Sequence, residues 1–248
     1  MYDSAMGDSR LDHERMYRNH VRDLEEEHDD HAVAMQQAVG GEFEVIGQME
    51  LDLLVSVGLP VDGFLIDVGC GSGRLTAPLA GYLRGDYLGT DIVPELLDHA
   101  RSLVARPEWR FELCSGFAIP AEIDTADVVC FFSVFTHLLH EETYHYLQEA
   151  HRVLRPGGRV VFSFLEFAVV SHWKIVEADL QAKGAPHPLN QFISRDGIEA
   201  WADHLGFDVE HVWAGDVPYI PLSKPVTLSG NNFEELGTFG QSSAVLRK

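Results

Sequence analysis

Residues 64–74 constrain the fold more than any other stretch of this chain. Phe64-Leu65-Ile66-Asp67-Val68 is apolar except for one carboxylate, and it stops at Gly69-Cys70-Gly71-Ser72-Gly73-Arg74. A short apolar run bounded by glycines reads as a buried strand. Glycines at 69, 71 and 73 allow tight turns and let a ligand approach the backbone closely. A helix is expected over 75–83, directly after the loop. Its first N–H groups lack partners within the helix and face whatever lies at the strand end. Doubly wound α/β folds take their ligands in such a crevice, beyond the carboxyl ends of the strands.

The flanking chain keeps the same alternation. Further strands are expected over 87–90, 109–114, 128–132 and 159–165. Pro94 opens a helix with Leu96, Leu97, Ala100, Leu103 and Val104 on its apolar side, and proline suits a first helical turn. Another helix is expected over 141–154, with a turn at 155–158. The 128–132 run is apolar throughout, as in a sheet covered on both faces. Strands alternating with helices imply a parallel sheet with right-handed crossovers. Upstream, Phe43, Ile46, Met49, Leu53, Leu54 and Val57 recur at helical spacing, closed by Gly58 and Pro60. Residues 22–30 are strongly charged and read as a solvated helical face or a mobile arm. Downstream, a helix is expected over 167–183 and a loop over 185–192. Ser194 can cap a helix that Gly206 stops, and strands over 207–213 and 242–247 close the sheet. Residues 216–240, rich in Pro, Gly, Ser and Asn, are too long for an ordinary connection and are mobile or functional. The chain thus divides into an arm and cap helix (1–58) and a ligand-binding domain (59–248), with 167–193 and 214–240 flanking the pocket.

Charge narrows the partners. The 248 residues include 39 acidic and 18 basic side chains, a formal net charge of -21. Such a surface repels phosphate backbones and anionic lipid, so a small-molecule partner is expected rather than nucleic acid or membrane. Solubility alone is the plainer reason for the same acidity. Cys70, Cys114 and Cys130 show neither a disulfide pattern nor zinc spacing, so a reducing compartment and no metal are expected. The first ten residues lack the apolar stretch of a signal peptide, and no apolar run approaches the roughly 18 residues of a membrane helix. A cytoplasmic location follows as an expectation, with monomer and homodimer both open.

Asp91 ends the second strand, where an acidic side chain can accept from both hydroxyls of a ribose, or else cap the helix opened by Pro94. The glycine spacing is GxGxG rather than the GxGxxG of dinucleotide sites. With Asp67 before it, this pattern resembles motif I of the class I S-adenosylmethionine-dependent methyltransferases. Ser133-Val134-Phe135-Thr136-His137-Leu138 and Arg152-Val153-Leu154-Arg155-Pro156-Gly157-Gly158 are similar to segments of the same family. The resemblance runs over about 43–165 and weakens toward the end. It implies a seven-stranded, mostly parallel, Rossmann-like sheet with an N-terminal helical cap. It implies S-adenosylmethionine as cofactor and S-adenosylhomocysteine as product. It places Asp67 near the methionine portion, Asp91 on the ribose, and Gly69, Cys70, Gly71, Arg74 and Ser133 alongside. Many relatives carry an acid near the adenine where this chain has Ser115-Gly116-Phe117. Adenine is then left to Gly116, Phe117 and Ile92, unless Phe117 only packs in the core.

Methyl transfer is a one-step in-line displacement, in which positioning supplies up to about 7–11 kcal/mol. A general base adds roughly 10²–10⁴-fold where the acceptor must lose a proton. His137 is the leading base candidate, or else a histidine that orders its loop. Glu166, His172 and Trp173 follow the fifth strand and face the same crevice in this fold; Glu166 either accepts from the substrate or starts the next helix. His187, Asn190 and Gln191 can read a polar, planar substrate or stand as solvated loop residues. Tyr219 and Asn231-Asn232 are candidates to line or cover the pocket, and Tyr17 and His20 to close a lid that excludes water. Gly40-Gly41 either presents N–H groups to the cofactor's carboxylate or simply breaks a helix.

Several functions compete. The foremost is methylation of a small acceptor at N, O or C, with a small aromatic or secondary-metabolite acceptor suggested by the family resemblance. The same motif also serves cyclisation of the cofactor with release of methylthioadenosine, or cofactor binding without catalysis. Ser133-Val134-Phe135-Thr136 replaces the Asp/Asn-Pro-Pro-aromatic run of DNA amino-methyltransferases, and no clustered carboxylates suggest a metal-dependent catechol type. The glycine spacing disfavours a nicotinamide dehydrogenase.

Overall fold

Alternate residues along a strand face opposite ways, so a sheet buried on both faces builds two interiors at once. The computed structural model describes residues 6–114, 116–182 and 189–248. Three helices come first: α1 (Met6–Glu27), α2 (His31–Ala38) and α3 (Phe43–Ser56). Then follow β1 (Phe64–Val68), α4 (Thr76–Leu79), β2 (Asp86–Asp91), α5 (Pro94–Ser102), β3 (Arg110–Leu113), β4 (Ala126–Phe131), α6 (His140–Val153) and β5 (Leu154–Phe164). The last part holds α7 (Trp173–Gln181), α8 (Arg195–Leu205) and β6 (Asp208–Trp213). Four short strands, β7 (Ile220–Pro221), β8 (Val226–Leu228), β9 (Asn231–Phe233) and β10 (Leu236–Gly237), lead to β11 (Ser242–Arg247).

One sheet runs β3-β2-β1-β4-β5-β11-β6. The strands from β3 to β5 are parallel, and β11 is antiparallel to both of its neighbours. The chain leaves β1 toward β2 on one side and returns to β4 on the other, so the sheet order reverses at the end of β1. That reversal opens the crevice expected of a doubly wound sheet. Leu65, Val128, Cys130, Val161 and Val245 pack on one face with Met49, Leu53 and Leu54 of α3. Ile66, Val129, Phe131, Val160, Phe162 and Ala244 pack on the other with α6 and α8. A third, separate cluster joins Val21 and Leu24 of α1 to Ala34 and Met35 of α2 and to Val93 and Leu96.

Some boundaries differ from the sequence expectation. The helix expected over 75–83 is only α4, where Pro78 supplies no N–H and Arg84 and Gly85 donate instead to the Val61 carbonyl. Residues 155–158 form an irregularity inside β5 rather than a free turn, with Gly157 donating to Lys248 and Lys248 to Gly158. Residues 22–27 belong to α1, whose Val21 and Leu24 are buried. The helix after β5 begins only at Trp173, behind a 3₁₀ turn (Val170–His172). Residues 216–240 carry the two small ladders β7–β10 and β8–β9, and Leu222 and Val226 pack on the α3 side of the sheet. Among the described residues no helix is long and apolar enough to cross a membrane.

Candidate functional site

The glycine loop is turned by its own backbone. Gly69, Gly71 and Gly73 have φ of +74°, +55° and +93°, the left-handed region that disfavours side chains. Gly69 and Cys70 both donate to the Thr90 carbonyl at 2.7 and 2.9 Å, which ties the end of β1 to the end of β2. A Cβ on Gly71 would stand 2.5 Å from Val39 Cγ1, because the end of α2 closes directly over the loop. Gly71→Ala therefore combines left-handed strain with a clash, at about 1–3 kcal/mol of stability. Val39→Ala in the same chain should recover part of that loss in urea denaturation, and no recovery would show that Val39 is not the obstacle.

A cavity of about 210 Å³ lies over this loop. Asp67, Gly69, Cys70, Gly71, Arg74, Asp91, Ile92, Ser133, His137 and Tyr17 line it, so ten sequence candidates share one wall system. The Asp91 carboxylate is buried and accepts from Gly71 N at 2.9 Å and Val93 N at 3.0 Å. Burial pushes its pKa up, against the lowering effect of those N–H groups. Each carboxylate oxygen retains a further lone-pair direction, enough for two hydroxyl donors. Asp91 thus supports the start of α5 and borders the cavity at once.

Asp67 is buried at the end of β1. Tyr87 Oη donates to it at 3.0 Å and Cys130 Sγ at 3.5 Å. Burial, and next the nearby charge of Glu50, push its carboxyl up to about 7. Glu50 on α3 forms a buried pair with Arg74, Nη2 to Oε1 at 2.6 Å. Arg74 Nη1 also donates to the carbonyls of Val39 and Gly40 at 3.2 and 3.3 Å. Gly40 N donates to the Gln37 carbonyl while the Val39 and Gly40 carbonyls turn toward Arg74, so of the two readings of Gly40-Gly41 the structure supports the helix break for the Gly40 N–H.

His137 ends a 3₁₀ turn (Phe135–His137) after β4. Its Nδ1 donates to the Leu189 carbonyl at 2.8 Å, so in a neutral ring the proton sits on that nitrogen. Tyr17 of α1 meets the His137 ring edge-on at 5.9 Å. Burial, and then the charge of Asp91, raise the Tyr17 phenol above its ordinary pKa. Ser133 holds φ +57° and accepts from Gln241 Nε2 at 3.1 Å, while its own N–H donates to Ser163 Oγ.

Other candidates lie elsewhere. Glu166 is 2% exposed and takes both Arg195 nitrogens at 2.8 Å, with Ser242 Oγ at 2.6 Å. Its carboxylate ties β5 to α8 and β11 and leaves no opening for a substrate. Burial raises its pKa, but the hydrogen bonds from Arg195 and Ser242 outweigh it and leave the carboxyl below its ordinary 4.5. Its stabilisation is therefore present above that value and lost as pH falls through the folded pKa. Arg195→Ala should cost about 3 kcal/mol at pH 7 by stranding a buried charge. A loss under about 0.5 kcal/mol, as at an ordinary surface site, would contradict that role. His172 is buried, bonded to Glu166 backbone and to the Gly240 carbonyl, and is a brace between segments rather than a base. Trp173 is half-exposed with its indole N–H on the Phe167 carbonyl. Asn190 donates to the Asp179 carboxylate, and Tyr219 stacks on Trp213 with its hydroxyl on Ser243. None of these five lines the cavity, because local polar or aromatic partners hold each of them. His20 is exposed, as are Asn231 and Asn232. Gly116 and Phe117 stand outside the lining too, Phe117 stacking on His145 at 5.6 Å. Ser115 and His187 lie outside the described residues.

Sequence reasoning missed Cys114, Tyr146, Glu50 and Val39. Cys114 and Tyr146 share a hydrogen bond of 3.1 Å at the cavity wall. Tyr146 sits in the apolar stripe of α6 and reads as core. Glu50 had a signal: with Asp52 it is one of two carboxylates set among the apolar residues 49–54 of α3.

Comparison with known proteins agrees with this geometry. A methyltransferase-domain family model matches residues 66–162. Mouse mitochondrial ubiquinone biosynthesis O-methyltransferase is 32% identical over 177 residues, covering 67% of this chain and 46% of that protein. O-methyltransferase cnsE of Penicillium expansum is 29% identical over 172 residues, covering 67% and 60%. The chain spans less than two thirds of the length of these two relatives. Among solved structures, a Methanosarcina mazei S-adenosylmethionine-dependent methyltransferase matches with a TM-score of 0.60 at 16% identity, covering 79% of this chain and 96% of that one. Synechocystis magnesium protoporphyrin IX methyltransferase with bound S-adenosylhomocysteine matches at 0.57 and 15%, covering 83% and 85%. Those structural likenesses concern the fold. The chain belongs to the class I S-adenosylmethionine-dependent methyltransferases. The family's cofactor suits the residues present: a buried carboxylate for ribose hydroxyls, and a loop whose glycines at 69, 71 and 73 let a ligand approach the backbone.

Proposed function

We propose that this chain transfers a methyl group from S-adenosylmethionine to a small-molecule acceptor, with an oxygen acceptor of phenolic type the first to test. The observation that carries the reading is the cavity itself, which joins the left-handed glycine loop, the Asp91 carboxylate and His137. Bound S-adenosylmethionine supplies an electrophilic methyl carbon on a sulfonium. Asp91, held by Gly71 and Val93, anchors the ribose. Val39 and Tyr17 close over the loop and exclude water. His137, in the tautomer set by Leu189, takes the acceptor proton at Nε2. A hydroxyl acceptor must lose such a proton, and the two curated relatives named above are O-methyltransferases. The strongly acidic chain supports a small acceptor over nucleic acid. In this reading residues 1–58 act as arm and cap over the 59–248 domain.

The test incubates the protein with methyl-labelled S-adenosylmethionine and a panel of phenols, catechols and amines, and identifies the nucleoside released. S-adenosylhomocysteine with a labelled acceptor supports methyl transfer. Methylthioadenosine would replace it with the cyclisation reading, and no turnover with intact binding would favour a non-catalytic role. His137→Gln should lower kcat by about 10²-fold or more on a hydroxyl acceptor. An unchanged kcat would remove the base.

A further inference from the structure

The chain carries 39 acidic and 18 basic side chains, so a groove in which arginines outnumber carboxylates runs against its composition. One such groove, of about 590 Å³, lies along α1. Arg15, Arg18, Asn19, Arg22 and Glu25 line it, and Glu95 from the first turn of α5 completes it. Helical periodicity explains how α1 serves two sites. At about 100° per residue, Arg15, Arg18 and Arg22 fall in one stripe, while Tyr17 and Leu24 fall on the opposite side. Leu24 is buried in the cluster with Met35 and Leu96, and Tyr17 lines the cavity over the glycine loop. The groove shares no lining residue with that cavity.

Like charges at i, i+3 and i, i+4 repel on a helix surface, so the three guanidiniums work against the turns that carry Tyr17. An anion lying across them removes that repulsion. Three guanidiniums stand with two carboxylates, which leaves the groove a charge of +1. Asp23 adds little, 3.9 Å from Arg22 with both side chains well exposed. The wider acidity of the chain acts weakly here, since at about 0.1 M salt exposed charges beyond roughly 10 Å are screened. Guanidiniums match phosphate oxygens through paired N–H groups, and the Asn19 amide offers a further donor. Arg15 and Arg22 are about 10 Å apart along the helix axis, with Arg18 between them. That span suits two neighbouring phosphate groups better than one, and the two carboxylates disfavour a singly charged anion.

We propose that this groove is an anion site, separate from the S-adenosylmethionine cavity, for a ligand bearing two neighbouring phosphate groups. Calorimetric titration of the full chain at low ionic strength, with inorganic diphosphate and with inorganic phosphate, tests it. Diphosphate should bind at least about tenfold more tightly than phosphate, and equal affinities would reject paired-phosphate recognition. Arg18→Glu reverses the central, exposed charge and should weaken diphosphate by about 10- to 100-fold. Arg84→Glu reverses an exposed arginine outside the groove and should leave diphosphate binding within about twofold of the parent. An unchanged urea midpoint shows that each variant is folded. Equal losses in the two variants would reduce the effect to net charge and overturn the site, as would diphosphate binding that Arg18→Glu leaves intact. A second arm uses phosphatidylcholine vesicles with and without a phosphoinositide bisphosphate. Arg18-dependent binding to the charged vesicles alone places the phosphates on a lipid headgroup, and Arg18-dependent binding of free diphosphate alone places them on a soluble ligand. No binding of diphosphate or of charged vesicles would overturn the site outright.

Discussion

Asp91→Ala should weaken S-adenosylhomocysteine by about 100- to 1,000-fold, through loss of two charge-assisted hydrogen bonds. The buried carboxylate is held by Gly71 and Val93, so it does not rotate away when a ligand leaves. That preorganisation is why its removal should cost more than an exposed acid would. The same substitution leaves two backbone N–H groups without their acceptor, so a fall in Tm is expected as well. Asp91→Asn separates the effects, since it keeps one oxygen acceptor and should lose affinity less than the alanine variant. Calorimetric titration decides: an alanine variant that binds within about threefold of the parent would remove Asp91 from the site.

The second large effect concerns Asp67 and pH. Unfolded, its carboxyl has an ordinary value near 3.9. Folded, burial and then Glu50 hold it up at about 7. The folded state thus binds the proton more tightly than the unfolded state. Its contribution to stability is complete below the unfolded value and is lost as pH rises from about 4 to about 7. At roughly 1.4 kcal/mol per unit the loss is on the order of 4 kcal/mol as an upper bound. Asp67→Asn removes the charge and keeps the shape. Without ligand it should be more stable than the parent by about 2 kcal/mol at pH 8, allowing for a poorer match to Tyr87 and Cys130. Near pH 4 only the poorer match remains, so the variant should be no more stable than the parent. Urea denaturation across that range checks this, and parallel pH profiles for parent and variant would refute a buried, titrating Asp67.

Much of the site was legible because its residues are adjacent in sequence. Asp67, Gly69, Gly71 and Arg74 share one strand–loop–helix unit, and Asp91 closes the next strand, so local rules place them together. Glu166 and His172 show where such reasoning stops. Their position after β5 suits catalysis in this fold, yet Arg195, Ser242 and Gly240 come from far along the chain and take up their polar atoms. Tyr219 is a similar case, since its stack on Trp213 exists only once β6 and the 214–240 segment meet.

The sequence by itself determined the alternation of strands and helices, the glycine loop and the acid at the end of β2, because periodicity and backbone freedom are properties of neighbouring residues. Tertiary structure alone decided that Val39 seals Gly71, that Glu50 pairs with Arg74, and that Tyr146 rather than Phe117 lines the cavity. Those contacts join residues dozens of positions apart, and their energies depend on burial and on the partner met there, which no local pattern encodes.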